Sequence, residues 1–384
     1  MSGNSNDTAE AGPKRGWREY LNAKLGLRNF WYAACFSKEI GENDVLVRKI
    51  LGEGILLRRV HGQVRAIRDR CIHRGVKFSD KVECYTPETI TCWYNGFTFR
   101  WEDGEVCSIF ASPESKAVGT QRVKVYPVEE VNGMVFVFVG DENYPPPPLS
   151  HDVPPGFLEP GIALEGESRV VKANWRLGPE GGIDEAHRYL HRESPLLLDG
   201  RKSMPLGHKA APTQIELVEE IDGPKGIIDH FRAEKMFFDA QIDGKTVVHS
   251  PNFGLEGRQA VSSSAWMPAC ARVLGFPDAG LTLFEWYVPI DESSHRCFMT
   301  LTKLCSNASE AAEFKDQFNL RWSPLALDGF LVQDVRARES QQEFYANELA
   351  WKQECLLEDD KIIMEWRRLC SRNNRGIQLP EHLV

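Results

Sequence analysis

Apolar positions along this chain fall into two regimes. From Val45 to Val139 they come in short, strand-length runs: Val45–Ile50, Ile55–Val60, Val64–Arg68, Ile90–Trp93, Phe97–Trp101, Val123–Glu129 and Met134–Val139. Turn pairs such as His61-Gly62, Asp103-Gly104 and Asn132-Gly133 separate them. Short apolar runs between such turns predict a small all-β domain of roughly 100 residues. Ahead of it, the basic pair Lys14 and Arg15 gives way to Trp17, Tyr20, Phe30, Trp31 and Tyr32, which predicts a docked helix and then a strand. After it, Tyr144 and Leu149 bracket four prolines, a stiff linker.

Beyond Pro154-Pro155 the pattern changes. Strand signals at Arg169–Trp175, Thr213–Glu220, Ile227–Phe238, Thr246–Ser250, Ala260–Pro268 and Thr282–Ile290 are followed by helical periodicity at Ser309–Arg321, Ala326–Ala346 and Asp359–Arg372. A long sheet followed by helices predicts an α+β domain. The chain as a whole therefore reads as a small β domain joined to a larger one with an antiparallel sheet framed by helices.

Composition narrows the function. The 384 residues are 42% hydrophobic and 26% charged, with a net charge of -9, which argues against a nucleic-acid binder. No apolar run reaches the length of a membrane span, and the acidic stretch Met1 to Pro13 lacks the basic-then-apolar order of a signal peptide, so a disordered tail and a cytoplasmic location are expected. Ten cysteines spread over such a chain suit metal binding or core packing better than disulfides.

Two constellations carry chemistry. In Gly181 to His191, His187 and His191 stand four apart, which on a helix puts both imidazoles on one face. With a carboxylate from elsewhere they would make a two-His, one-carboxylate site that leaves positions open on iron(II). On these residues alone, a surface helix with two chance histidines fits equally well. Upstream, Cys71-Ile72-His73 is followed after 18 residues by Cys92-Trp93-Tyr94-Asn95, each on a loop at a strand end. Two loops each presenting Cys and His hold a Rieske [2Fe–2S] centre, and three of its four ligand types are here. The alternatives are a zinc site, for which four ligands at shorter spacing are expected, or plain core residues.

With Arg74-Gly75 after the first His, Trp93-Tyr94 before position 95, Asn174-Trp175-Arg176 and Phe284 to Asp291, the chain resembles the α subunits of Rieske non-haem iron oxygenases from Trp17 to Gln378. The resemblance implies three parts: an N-terminal tail and helix (1–35) on the catalytic domain, a Rieske domain (36–143) and a catalytic domain with a mononuclear iron (144–384). It supplies Asp334 as the carboxylate beside His187 and His191, with Asp328 the nearest competitor. It gives Asp184 an electron-bridging role across a subunit boundary, although that residue also suits a helix cap. It implies a homotrimer fed by a ferredoxin, with Arg68, Arg70, Arg74, Lys77 and Lys81 as a docking rim. O2 would be added to adjacent carbons of a carbazole-like aromatic at the angular position. Gly182, Ile183, Phe276, Leu283 and Phe284 are candidate pocket residues, with core packing the competing reading.

Asn95 departs from the pattern, because the family has a second histidine there. An amide oxygen is a poor substitute for an imidazole nitrogen on a ferric sulfide cluster, so cluster assembly and electron supply are both expected to suffer. The competing functions are a monooxygenase or demethylase on another ring compound, and a redox-dead homologue that only binds an aromatic ligand.

Overall fold

The computed structural model describes residues 16–383 except 185, 211–213, 231–232, 251 and 254–261, and gives no side-chain account of 208–210 and 233–235. The expected tail through Pro13, with Lys14 and Arg15, lies outside the described residues.

The first half is built of short antiparallel strands. Glu53–Val60 is paired on one side with Val45–Ile50 and on the other with Gln63–Arg68. A second sheet of Thr89–Thr91, Phe97–Arg100 and Val106–Ile109 carries the Cys92 loop at its end. Phe30–Phe36 pairs with Met134–Val139, whose six residues are all buried, so the strand before the first β run and the last strand of that run share a sheet. Val106–Ile109 was not expected. Its polar Cys-Ser centre hides the alternation that the flanking Val106 and Ile109 would otherwise show.

The second half is a seven-stranded antiparallel sheet ordered Ile162–Val171, Ser294–Leu304, Leu281–Asp291, Cys270–Leu274, Ser262–Trp266, Lys225–His230 and Gln214–Glu219. Ser294–Leu304 was not expected. It alternates weakly because both of its faces are covered and Phe298, Met299, Thr300 and Leu301 are all fully buried. The single run expected over Ile227–Phe238 is two strands, Lys225–His230 in the large sheet and Ala233–Phe237 paired with Gly207–Ala210. A run of strand formers does not reveal a change of partner. The helix expected over Ala326–Ala346 is a π-helical stretch, Phe318–Leu331, that tightens into the α-helix Val332–Tyr345. Pro324 sits inside the wide part, where its missing N–H removes a helix bond.

Buried charges tie the parts together. The Glu53 carboxylate accepts from Arg28 at 2.8 Å, Lys124 at 3.1 Å, Tyr126 at 2.6 Å and Gln378 at 3.3 Å, joining both chain ends to the β domain. Burial alone would raise its pKa, but Lys124, Tyr126 and Arg28 outweigh burial and hold it below the usual carboxylate value. Tyr20, on the helix Arg18–Asn22, donates to Glu180, and Arg367 donates to Glu180 and Glu354, fastening the first helix to the catalytic half.

Replacing Glu53 by Gln leaves the half-buried Lys124 without its counter-charge and Arg28 with Asp141 alone, and should cost about 3 kcal/mol, read as a lower urea midpoint. A depressed carboxylate contributes above its unfolded pKa of about 4.3 and loses that contribution as pH falls through its folded value. The gap between the native chain and Glu53→Gln should therefore shrink at progressively lower pH.

Candidate functional site

The two histidines do not lie on one α-helix. Leu177–Ile183 is α-helical, Asp184 breaks it with an extended backbone (φ -72, ψ 114), and Ala186–His191 is a 3-10 helix. The break is built from Asp184 itself. Its carboxylate accepts from the backbone N–H of Ala186 at 2.8 Å and of His187 at 3.3 Å, capping the new turn. Its backbone carbonyl accepts from His187 Nδ1. His187 Nε2 is thereby left as the lone-pair nitrogen, aimed inward.

His191 is fixed by different means. Its Nδ1–H donates to Gln333 Oε1 at 2.8 Å, and its ring stacks on Phe330 at 3.6 Å between centroids with planes 9° apart. Its Nε2 is buried and has no hydrogen-bond partner. Asp334, on Val332–Tyr345, brings one carboxylate oxygen to 3.5 Å from His187 Nε2 and 3.4 Å from His191 Nε2. The three ligand atoms lie within 4.8 Å of one another. An orphaned imidazole nitrogen facing a second imidazole and a carboxylate fits a divalent metal such as iron(II). Asp328, the competing carboxylate, instead pairs with Arg169 at 3.1 Å on the surface.

Beneath the trio lies a buried layer that the sequence reading missed. Arg338, one turn after Asp334, donates to Tyr287 Oη at 3.3 Å and stands 3.6 Å from Glu285. Burial raises the Glu285 pKa against the pull of Arg338. For Asp334, burial is again the largest influence and acts upward, but His191, His187 and Arg338 reverse it and keep the group an anion. The one sequence signal for Arg338 was its i+4 spacing from Asp334; Gln333 offered only adjacency.

The candidate pocket residues separate. Gly182 is packed so closely that a Cβ there would come 2.7 Å from the Ala271 Cβ, which is why the helix can lie on the sheet. Ile183 is buried in the core beside it. Leu283 is on the sheet face toward this helix, and Phe276 stands 5.1 Å from Phe330. Phe284 is a correction. Alternation turns it to the opposite face, where it packs on Phe157 at 5.3 Å, away from the metal trio.

The two upstream loops share one backbone plan. Cys71 N–H donates to Val76 O and Gly75 N–H to Cys71 O; Cys92 N–H donates to Phe97 O and Gly96 N–H to Cys92 O. Gly75 (φ 72) and Gly96 (φ 70) supply the positive φ in each. Both thiols are buried, and Cys71 is pushed up to about 12 by burial and by the neighbouring Cys92. His73 stacks on Phe97 and its Nδ1–H donates to Asn95 Oδ1 at 3.1 Å. Two thiols and one imidazole suit a [2Fe–2S] cluster, and the fourth position holds an amide that does not. Cys107 donates to Thr98 O on the strand behind rather than into the loops. The rim around the loops is exposed and partly apolar (Ile72, Tyr85, Trp93, Tyr94, Phe110), with Arg70, Arg74, Lys77 and Lys81 also exposed.

Comparison with known proteins gives two family matches, a Rieske [2Fe-2S] domain at residues 30–127 and a homotrimeric ring hydroxylase at 138–378. The terminal oxygenase component of carbazole 1,9a-dioxygenase from a Sphingomonas species is 46% identical, covering 94% of this chain and 96% of the relative. The corresponding component from Metapseudomonas resinovorans is 42% identical, covering 96% of each. A solved structure of the reduced complex between oxygenase and ferredoxin in carbazole 1,9a-dioxygenase superposes with a TM-score of 0.90 at 42% identity, over 96% of this chain and 95% of that one.

Gln333→Leu removes the acceptor that sets the His191 tautomer while leaving all three ligand atoms in place. It should weaken cobalt(II) or iron(II) binding by about tenfold or more, measured by anaerobic metal titration, with the far-UV circular dichroism unchanged.

Proposed function

The chain belongs to the homotrimeric ring hydroxylases that carry a Rieske domain, and from that premise we propose that it is the terminal oxygenase of an angular aromatic-ring dioxygenase. Its substrate class is a flat, carbazole-like aromatic, and its electrons come from a ferredoxin. The observation that carries this reading is the convergence of His187, His191 and Asp334 around an unpartnered, buried imidazole nitrogen.

In this reading His187, His191 and Asp334 hold iron(II), which when bound supplies the activation of O2. The protein contributes position and exclusion. The Asp184 carbonyl and Gln333 fix both tautomers, Phe330 stacks on the His191 ring, and the three residues would hold iron(II) through a ligand set that leaves positions free for O2. Leu283 and Phe276 give those positions an apolar wall, and the backbone around Gly182 offers carbonyls to a ring N–H. The dividing line between the Rieske and catalytic domains falls in the proline linker after residue 143.

Electron supply runs between subunits. In a trimer the exposed loop tip at His73, Trp93 and Tyr94 of one copy meets the region of Asp184 on the next. Asp184 already uses one carboxylate oxygen as a cap and is half-exposed, which suits a bridge to an imidazole outside its own fold. The basic rim at Arg70, Arg74, Lys77 and Lys81 suits an acidic ferredoxin. Asn95 interrupts this route, because His73 faces an amide where a second imidazole is needed. No helix among the described residues is long and apolar enough to cross a membrane, and the ten cysteines are free, in keeping with a cytoplasmic enzyme.

A ligand-binding homologue without redox function is the second reading, and Asn95 is the observation that favours it. Iron and acid-labile sulfide, measured on anaerobically purified protein, test the electron route. The native chain should hold about one iron and little sulfide, and Asn95→His should approach three irons and two sulfides with a Rieske spectrum. Full cluster content in the native chain would refute the impairment. Chemistry at the mononuclear site is tested separately by supplying doubly labelled hydrogen peroxide with carbazole. Two labelled atoms in the product indicate a dioxygenase, one a monooxygenase, and no product the binding homologue.

A further inference from the structure

We infer that Asp229 forms the polar end of the aromatic pocket and accepts a hydrogen bond from an O–H or N–H on the ring edge remote from the iron ligands. The inference rests on the reading that this pocket holds a flat aromatic, and it narrows the substrate class to ring systems bearing such a donor.

The sheet register locates Asp229. Gly182 lies against Ala271 and Tyr287, and Arg338 reaches Glu285 and Tyr287, so the face carrying these residues is the one beneath the metal trio. The pairs Ile227↔Ala265, Ala265↔Ala271 and Ala271↔Glu285 form one row across four strands of that face. The next row, two residues along each strand, holds Ser263↔Val273 and Val273↔Leu283. Asp229 follows Ile228, which pairs with Ser264, and so stands beside Ser263 in this row, on the same face as Ile227, with Ile215 of the edge strand beyond it.

The two rows differ in cover. Ile227, Ala265 and Ala271 are sealed. Ser263 and Val273 are only half-buried, although their strands are paired on both sides. Open space therefore stands over the second row. It runs toward the metal ligands, because Phe276, just past the end of the Val273 strand, contacts Phe330, which stacks on His191.

Asp229 closes the other end. It is 2% exposed, and neither carboxylate oxygen has a hydrogen-bond partner. A buried carboxyl without partners is costly and calls for a group that supplies them. A carboxylate offers acceptors only, so the group it suits is a donor. Between Asp229 and the metal trio the floor is Val273 and Leu283, with Ser263 the other polar side chain in the row, so the arrangement reads as an apolar slot with one acceptor at its far end.

Equilibrium binding tests this without calling on the electron route. Dibenzofuran, which has no donor, and its four monohydroxy isomers would be titrated by fluorescence into the full chain and into Asp229→Leu, Asp229→Asn and Ser263→Ala. At least one isomer should bind the native chain about tenfold tighter than dibenzofuran. That preference should vanish in Asp229→Leu, fall in Asp229→Asn and persist in Ser263→Ala, with dibenzofuran itself bound as well or better by Asp229→Leu. Should Asp229→Leu not fold, an unreduced preference in the isosteric Asp229→Asn overturns the inference. Equal binding of all five compounds by the native chain, or an unchanged preference in the Asp229 variants, overturns it while leaving the aromatic pocket standing. Failure of all five to bind overturns the pocket reading as well.

Discussion

Asp334 is a carboxylate taken out of water, and the catalytic half is arranged around the need to compensate it. A buried anion is tolerated only where charge and hydrogen-bond partners surround it. Here two imidazoles meet one of its oxygens from one side, and Arg338 approaches from a turn further along the same helix. Arg338 in turn needs Glu285 and Tyr287, which fixes the helix over particular strands of the sheet. A bound divalent cation would complete the same balance, so the demands of folding and of metal binding coincide at this point.

Asp184 shows how few residues the site needs for its geometry. Its carboxylate ends one helix and starts the next turn, and its carbonyl orients His187. On a continuous α-helix, positions four apart would point both rings along one stripe. The break and the tighter 3-10 turn instead set the rings at 82° to each other, 5.1 Å between centroids, so that they meet a common point from different directions. Such a meeting suits a tetrahedral or octahedral ion better than parallel rings do.

The paired cysteine loops make the opposite point. Their backbones repeat the same hydrogen bonds and the same positive-φ glycine, yet one ends in an imidazole and the other in an amide. The backbone plan survives the change because main-chain bonds hold it, while donor chemistry depends on a single side chain. The two loops therefore share one backbone shape although the side chains they present differ.

Most of the β runs between turn pairs, the presence of late helices, the histidine pair and the two cysteine loops with Asn95 in the second were legible in the chain, because each is a local pattern of residue types. His187 and His191 were legible as a pair, though their joint use with Asp334 came from resemblance and not from spacing. What the sequence could not carry was everything set by register and by contact across the chain. Ser294–Leu304 is a strand because its neighbours cover both of its faces. Leu283 and Phe284 fall on opposite faces of the sheet, with Leu283 on the one beneath the His187, His191 and Asp334 cluster, because strand alternation separates them. Gln333, Arg338 and Asp229 are ordinary polar residues in sequence. Only tertiary packing, which removes water from some side chains and brings others within hydrogen-bond reach, decided that one orients the His191 ring, one balances a buried anion and one is left without a partner.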